Sequence, residues 1–267
     1  METAEAHYET LQITQDGPIA RLTLTRPDLF NRIDEPGHRE LIEAFRSLNY
    51  RPGTRVVLWT AQGKHFSAGG DMKEIYGQHE HLHQRLDQFQ QAKDIIYALL
   101  EIPYPVVVAL HGDTYGLGAS LILCCDVLVA CRKAKLGDTH VKIGLVAGDG
   151  GAVVWPASIG MMRAKRHLLT GKLLTGEEGY QLGLVSDLAD TPEECRAEAE
   201  RIAREIAALA PIGVQGTKRT LNASLRHRAA EVLELGLMHE MMSIGTKDLL
   251  EAVEAFKEKR AAVFHGK

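Results

Sequence analysis

Three uninterrupted apolar runs constrain the fold of this chain more than any other feature. They occupy residues 56–60, 106–110 and 127–130. A short apolar run without polar alternation is typical of a strand that is buried on both faces of a sheet. Amphipathic helical patterns at residues 84–100 and 119–124 separate these runs. Because strands that alternate with helices pair in parallel through right-handed crossovers, the sequence predicts an α/β fold.

The N-terminal part of the chain adds a hairpin and a helix to this body. Residues 8–14 and 19–25 alternate apolar and polar side chains on either side of Asp16-Gly17-Pro18, which predicts a β-hairpin. Residues 36–49 place apolar side chains on one face at helical spacing and are predicted to form a helix.

The C-terminal third is predicted to be almost entirely helical after Ala152. Thr191 and Glu194 have the spacing of a capping box and begin a series of three or four predicted helices. We therefore divide the chain into a core, residues 1–190, and a helical C-terminal region, residues 191–267.

The composition excludes several classes of protein. Hydrophobic residues make up 45% of the 267 residues, enough apolar surface to exclude a disordered chain. The four cysteines form no CxxC pair, which excludes a disulfide scaffold and a zinc ribbon and favours a reducing compartment. A net charge of −4 is too small to recruit nucleic acid or an anionic membrane. Since residues 1–9 do not resemble a signal peptide, we expect a cytoplasmic protein with no membrane or nucleic acid as partner.

Two segments of small residues follow buried strands and are candidate ligand-binding turns. They are residues 65–71 (HFSAGGD) and residues 112–118 (GDTYGLG). Small side chains let backbone amides approach a ligand, and amides at a helix start carry partial positive charge. Two such turns could direct two N–H groups at one oxygen and form an oxyanion hole. Neither segment matches a Walker or dinucleotide-binding motif, and either one alone could be only a tight turn.

An ordered set of short motifs resembles the crotonase (enoyl-CoA hydratase/isomerase) superfamily between about residues 10 and 250. The motifs are Leu24-Thr25-Arg26-Pro27 with Asn31, residues 66–71, residues 105–112, Cys125-Asp126, residues 169–171 and residues 183–185. The resemblance implies a crotonase-like ββα spiral with a helical C-terminal trimerisation region, assembled as a homotrimer or as a hexamer (a dimer of trimers). It also implies an acyl-CoA substrate, with coenzyme A as part of the substrate, no separate cofactor and no metal.

The same resemblance identifies the residues that would hold the thioester. The two oxyanion-hole amides map to Ala68 and Leu117, whose backbone N–H groups would stabilise a thioester enolate. The substrate-binding positions are Ser67, Gly69, Gly70, Asp71, Gly116, Gly118 and Ser120. Asp71 is also expected to cap or brace its own loop.

The acid–base positions depart from the hydratase pattern. A hydratase of this superfamily uses two glutamates to add water, and their positions fall at Ser120 and His140. Serine has no base strength near neutral pH, whereas histidine titrates in the useful range. Hydration by two glutamates is therefore not expected.

The residues around His140 are instead similar to the β-diketone hydrolase branch, typified by 6-oxocamphor hydrolase, which breaks a carbon–carbon bond by retro-Claisen chemistry. Its His/Asp pair maps onto His140 and Asp149. A further histidine maps onto His38 and a glutamate onto Glu240, while the place of another histidine falls near Gly118. That hydrolase lacks the CoA-type loop that this chain keeps at residues 68–71.

These correspondences imply a mechanism. Asp149 would hold the imidazole of His140 in one tautomer, and His140 would activate a water for attack on a ketone carbon. Hydrolytic cleavage of a carbon–carbon bond in a β-oxoacyl-CoA is therefore favoured. Two alternatives stay open: hydration of an enoyl-CoA by acid and base residues other than glutamate, and a non-catalytic crotonase-fold protein that binds an acyl-CoA or a protein partner.

Each candidate side chain also has a purely structural interpretation. Asp149 could be the N-cap of the helix that follows it. His140 could be a loop histidine whose hydrogen bonds are satisfied, and Glu240 could be a solvated or interface carboxylate. His38 lies at a helix start and is the weakest of the four assignments.

Overall fold

Two sheets organise residues 7–267, the part of the chain that the computed structural model describes. The strands are β1 (Leu11–Asp16), β2 (Ile19–Leu24), β3 (Val56–Ala61), β4 (Val106–Leu110), β5 (Thr114–Tyr115), β6 (Val127–Cys131), β7 (Lys135–Gly137), β8 (Leu174–Thr175) and β9 (Asp187–Ala189). The larger sheet has the order β1-β2-β3-β4-β6-β9, and the smaller sheet has the order β5-β7-β8. Only the β1–β2 pair of the larger sheet is antiparallel.

Ten helices lie along residues 7–267, and the last three form most of the C-terminal region. They are α1 (Glu35–Leu48), α2 (Met72–Gly77), α3 (Leu82–Glu101), α4 (Leu117–Leu123), α5 (Gly151–Ile159), α6 (Met161–Thr170), α7 (Gly176–Leu182), α8 (Pro192–Ala207), α9 (Pro211–Ile244) and α10 (Lys247–Glu258). The predicted α/β class is confirmed.

The three apolar runs become β3, β4 and β6, which are neighbours in the sheet and run parallel. Trp59 pairs with Val108, and Val108 pairs with Leu128 on its other side. All three side chains are buried, and α8 packs against all three strands. Continuous burial explains why the sequence shows no polar alternation here.

One predicted boundary was wrong, and two short strands in the mainly helical C-terminal part were not predicted, for identifiable reasons. The first strand begins at Leu11 rather than residue 8, since the amides of Glu9 and Thr10 donate to the carboxylate of Glu40 at 2.9 and 2.8 Å instead of joining the ladder. The region after Ala152 contains β8 and β9 as well as helices. Strands of two and three residues are too short to show a period of two in a sequence.

The C-terminal region contains three helices that pack on the body of the protein. α8 packs on β3, β4 and β6, while α9 packs on α3 and α5. Lys218 of α9 donates to the Asp126 carboxylate at 2.7 Å and to the Tyr104 carbonyl at 2.8 Å, which fixes the helix to the end of β4. The division of the chain at residue 190 and the trimerisation role of the last helices stay predictions.

The fold brings both glycine-containing turns to one edge of the sheet. Residues 65–71 follow β3 and residues 112–118 follow β4, so both leave from the carboxyl ends of neighbouring parallel strands. Ligands bind at such ends in open α/β sheets. α10 packs against α2 and against the 3-10 turn His140–Ile143, and so closes this edge from the other side.

Candidate active site

The two turns touch each other directly. Tyr115 N–H donates to the Ser67 carbonyl at 3.1 Å, which links the two segments. Gly69 has a φ of +78°, and a Cβ there would lie 2.6 Å from the Tyr115 carbonyl oxygen. A Cβ at Gly118 would lie 2.8 Å from Thr114 Oγ1 and 2.9 Å from Ser67 Oγ. Glycine is therefore required at both positions for the turns to meet.

Two residues predicted to contact substrate, Ser67 and Asp71, also have structural roles. Ser67 is fully buried, and its hydroxyl donates to the Asn31 carbonyl at 2.8 Å and accepts the Gly69 N–H at 3.2 Å. Asp71 caps α2 by accepting the Lys73 N–H at 2.7 Å and pairs with Arg32 at 3.0 Å. Their hydrogen bonds brace the loop, which confirms the expectation that Asp71 caps its loop. Substrate contact by either residue stays a prediction.

Of the two predicted oxyanion-hole amides, the Ala68 N–H already has a hydrogen-bond acceptor within the protein. Leu117 is the first residue of α4, and the first amides of an α-helix have no partner within it. The Ala68 N–H, by contrast, donates to the Phe30 carbonyl at 2.9 Å. An amide has one hydrogen, so Ala68 is not free for a thioester oxygen while this bond persists. Phe30 has a φ of +53°, a left-handed conformation that is unfavourable for a bulky residue.

His140 lies between two buried carboxylates. Its Nδ1–H donates to Asp138 Oδ1 at 2.7 Å, and its backbone N–H donates to the same oxygen at 3.1 Å. Its Nε2 lies 3.4 Å from Asp149 Oδ2. Asp138, and not Asp149 as predicted, therefore makes the hydrogen bond that fixes the ring orientation. The sequence contained a signal for this role, since Asp138 is two residues before His140 at the start of a 3-10 turn.

Asp149 is not a helix cap. The N-cap of α5 is Gly150, and no side chain caps this helix. Asp149 Oδ1 instead accepts the hydroxyl of Ser120 at 3.1 Å, and its other oxygen faces His140. The interpretation of Asp149 as a helix N-cap is therefore wrong. Ser120 donates a hydrogen bond to its carboxylate.

His38 and Glu240 line one small chamber together with His140 and Asp149. The chamber has a volume of about 30 Å³. Since one water needs roughly 10–15 Å³, it holds one or two waters and not an acyl group. The other lining residues are Gly70, Ile75, Arg85, Gln88, Phe89, Ala92, Leu117, Leu237, Met241 and Ile244. The structure thus brings the four predicted acid–base residues together, although their catalytic roles stay predictions.

Glu240 is buried, and its Oε2 has no hydrogen-bond partner among the described residues. A solvated carboxylate is therefore excluded. The ring of His38 is held by a hydrogen bond between Nδ1 and the Asp34 carbonyl at 3.0 Å. A carbonyl can only accept, so His38 Nδ1 carries the proton and Nε2 is an acceptor.

Burial and the neighbouring charges shift the pKa values of His140, Asp149 and Glu240. Burial opposes the charged form of His140, but the carboxylates of Asp138 and Asp149 outweigh it and raise its pKa well above the ordinary value. Burial, with a contribution from Asp138, raises the pKa of Asp149 to about 6, although His140 acts in the opposite direction. Burial and the charge of Asp149 raise the pKa of Glu240 to about 8. At pH 7 His140 is therefore cationic, Asp149 is mostly ionised and Glu240 is neutral.

Asp138, His140 and Asp149 also form a group of possible metal ligands, with donor atoms within 4.8 Å of one another. Both ring nitrogens of His140 are directed at a carboxylate oxygen. Protons shared between His140 and the two carboxylates explain this arrangement, so the proposed mechanism contains no metal-dependent step.

An open groove of about 680 Å³ leads to the chamber. The two share His38, Gly70, Ile75 and Gln88 as common walls. The groove is large enough for an acyl chain, because ligand pockets begin at about 300 Å³. An acyl group in the groove would place its reacting carbons against a water in the chamber.

Comparison with known proteins identifies the family. A family model described as enoyl-CoA hydratase/isomerase matches residues 14–267. The chain belongs to the enoyl-CoA hydratase/isomerase family. This confirms the resemblance to the crotonase superfamily and makes the protein an enzyme of the hydratase/isomerase type. No helix among residues 7–267 is both long enough and apolar enough to cross a bilayer.

Relatives of the family cover nearly the whole chain. The (E)-benzylidenesuccinyl-CoA hydratase of Thauera aromatica is 32% identical and matches 96% of this chain and 98% of its own. The crystal structure of an enoyl-CoA hydratase/isomerase from Mycobacterium paratuberculosis is 33% identical, with a TM-score of 0.87 over 92% of this chain and 97% of that one. A β-diketone hydrolase from the cyanobacterium Anabaena, bound to (S)-3-oxocyclohexyl acetic acid, is 25% identical, with a TM-score of 0.81 over 89% and 95%.

Proposed function

We propose that the protein hydrolyses a carbon–carbon bond of a β-oxoacyl-CoA. The observation that carries the proposal is the position of His140 between Asp138 and Asp149, at the wall of a water-sized chamber. A water held there can be activated without a second glutamate. The presence of a β-diketone hydrolase among the structural neighbours supports the same chemistry.

The protonation states give each side chain a role in water attack. His140, which the sequence predicts as the base, holds its proton because its pKa is raised. Asp149 is ionised at pH 7 and has a pKa close to neutrality, which suits a general base. It takes a proton as the water oxygen bonds to the ketone carbon. Glu240 is neutral at pH 7 and donates a hydrogen bond to the ketone oxygen as negative charge develops there.

Bond cleavage then uses the proton on His140. The bond between the former ketone carbon and the α-carbon breaks, and its electron pair forms the thioester enolate. His140 gives its proton to the α-carbon, and Asp149 returns the water proton to His140 across the 3.4 Å separation. The net change adds OH to the ketone carbon and H to the α-carbon. One carboxylic acid and one acyl-CoA end result.

The enolate oxygen is held by backbone amides. Leu117 supplies the amide at the start of α4. Ala68 supplies the second once the thioester oxygen replaces the Phe30 carbonyl as its acceptor. Two preorganised N–H groups stabilise developing charge far better than water does in such an enclosed site.

Hydration of an enoyl-CoA is the second candidate function. Asp149 and Glu240 are two carboxyl groups with different pKa values in one chamber, an arrangement that can add water across a double bond. The named hydratase activity of the Thauera aromatica relative favours this alternative.

An assay with two substrates separates these functions. Purified protein is incubated with 2-oxocyclohexanecarboxyl-CoA, the simplest cyclic β-oxoacyl-CoA, and with crotonyl-CoA, and products are identified by mass spectrometry. We expect ring opening to pimeloyl-CoA, with loss of that activity in His140→Ala and Asp149→Asn and no loss in the exposed control His227→Gln. Rapid hydration of crotonyl-CoA by a fully active His140→Ala variant would refute the proposal.

We also propose a homotrimer or hexamer. Large apolar side chains on the last helices support assembly, since Ile212 is 89% and Phe256 85% exposed in the single chain. Light scattering coupled to size-exclusion chromatography measures the mass of the assembly.

We further propose that the enzyme needs no cofactor or metal, so dialysis against EDTA should leave the rate unchanged. We also propose a cytoplasmic location, which the free thiols support.

A further inference from the structure

Arg85 is a cation inside the catalytic chamber that the proposed steps do not use. Among the described lining residues it is the only lysine or arginine. One guanidinium nitrogen donates to the carbonyls of Gln78 and His79, which fixes the side chain against the turn between α2 and α3. Its Nε is buried and has no hydrogen-bond partner among residues 7–267.

The end of α9 leaves room for this guanidinium. A Cβ at Gly245 would lie 3.2 Å from a terminal nitrogen of Arg85 and 3.4 Å from its Cζ. In the same chamber Glu240 Oε2 is also buried without a partner. A buried polar atom without a partner is unfavourable, so two of them on residues that line one chamber indicate a place where a polar group binds.

The proposed reaction creates such a group. Water attack followed by cleavage of the carbon–carbon bond converts the ketone carbon into a carboxylic acid, which ionises next to the carboxyl groups of Asp149 and Glu240. An anion formed there is repelled unless a cation compensates it, and arginine is the side chain best suited to pair with a carboxylate. We infer that Arg85 forms the binding subsite for the carboxylate that hydrolysis releases.

This inference rests on the proposed function and specifies its substrate class. If the ketone and the α-carbon belong to one ring, the new carboxylate stays attached to the thioester, and the product is an ω-carboxyacyl-CoA. The thioester oxygen then sits at the Leu117 and Ala68 amides, while the carboxylate sits at Arg85. The substrates are accordingly cyclic β-oxoacyl-CoA esters.

Binding measurements test the subsite without requiring turnover. Calorimetry compares ω-carboxyacyl-CoA esters, from succinyl-CoA to suberyl-CoA, with acyl-CoA esters of the same chain lengths that end in methyl. We expect the wild-type protein to prefer the carboxylate-ended ligand roughly tenfold or more at one chain length. Arg85→Gln should abolish that preference, Arg85→Lys should retain part of it, and the control Arg46→Gln, an exposed partner of Asp94, should keep it.

The ratio of the two affinities decides the outcome even if Arg85→Gln loosens the fold. An unchanged ratio in Arg85→Gln, or no preference in the wild-type protein, would overturn the subsite. If 2-oxocyclohexanecarboxyl-CoA is not hydrolysed while the ratio depends on Arg85, the proposed function fails and the subsite stands. If the substrate is hydrolysed and the ratio is independent of Arg85, the subsite fails alone.

Discussion

Nδ1 of His140 lies 2.7 Å from Oδ1 of Asp138, and both side chains are almost inaccessible to solvent. Asp138→Asn keeps the shape but removes the charge that fixes the imidazolium. We expect kcat to fall roughly 100-fold or more, with little change in KM, because the ring loses its orientation and proton affinity. Asp190→Asn, at an exposed partner of Arg132 away from the groove, is the control.

The same variant changes how stability depends on pH. The folded pKa of His140 is raised, so its contribution to the free energy of unfolding is complete below about pH 6.5 and is lost as pH rises through the folded pKa. Asp138→Asn lowers that pKa, and the loss should begin at a lower pH. Urea unfolding between pH 5 and 9, with an NMR titration of His140, measures both; identical titration in the two proteins would contradict the assignment.

A bell-shaped pH dependence of kcat/KM is the second prediction. The rate should rise as Asp149 ionises near pH 6 and fall as Glu240 loses its proton near pH 8. Glu240→Gln should remove the alkaline limb while retaining measurable activity, because glutamine still donates a hydrogen bond. An alkaline limb that persists in Glu240→Gln would assign it to another group.

Ser120→Ala should move the acidic limb. The hydroxyl of Ser120 donates to Asp149 and lowers its pKa, so its removal raises that pKa and shifts the limb to higher pH. Activity at pH 6 should fall more than activity at pH 8. Ser158→Ala, which removes a hydroxyl bonded only to the Val154 carbonyl of α5, should leave the profile in place.

Gly69→Ala should separate the two turns. The new Cβ would meet the Tyr115 carbonyl at 2.6 Å, and the φ of +78° disfavours alanine. We expect a loss of about 2 kcal/mol or more in the free energy of unfolding, together with weaker acyl-CoA binding. Gly213→Ala is the matched control, since nothing lies within 4 Å and α9 gains roughly 0.5–1 kcal/mol from alanine. Equal stability of the two variants would contradict close contact between the turns.

The sequence predicts the parts of the fold that depend on burial over many residues. The runs that became β3, β4 and β6 are continuous and apolar, and the capping box at Thr191 begins α8 as predicted. The pairing of β9 with β6 could not be predicted, because three residues carry no periodic signal and the strand forms only against a finished sheet edge.

The sequence likewise indicates the candidate residues of the site but not their hydrogen-bond partners. The resemblance to the β-diketone hydrolase branch implied His140, Asp149, His38 and Glu240 as acid–base candidates, and the fold brings them to one chamber. Hydrogen-bond partners depend on three-dimensional positions that spacing does not contain. The bond from the Ala68 N–H to the Phe30 carbonyl is of this kind. The two residues are 38 positions apart, and no motif in the sequence relates them.

Labelled water tests the central claim most directly. The protein is incubated with 2-oxocyclohexanecarboxyl-CoA in H₂¹⁸O, and the position of the label is read by tandem mass spectrometry. The account predicts one ¹⁸O atom in the distal carboxylate of pimeloyl-CoA, with the thioester intact. Label in an acid freed from coenzyme A, or a hydrated product with its ring unbroken, would contradict it.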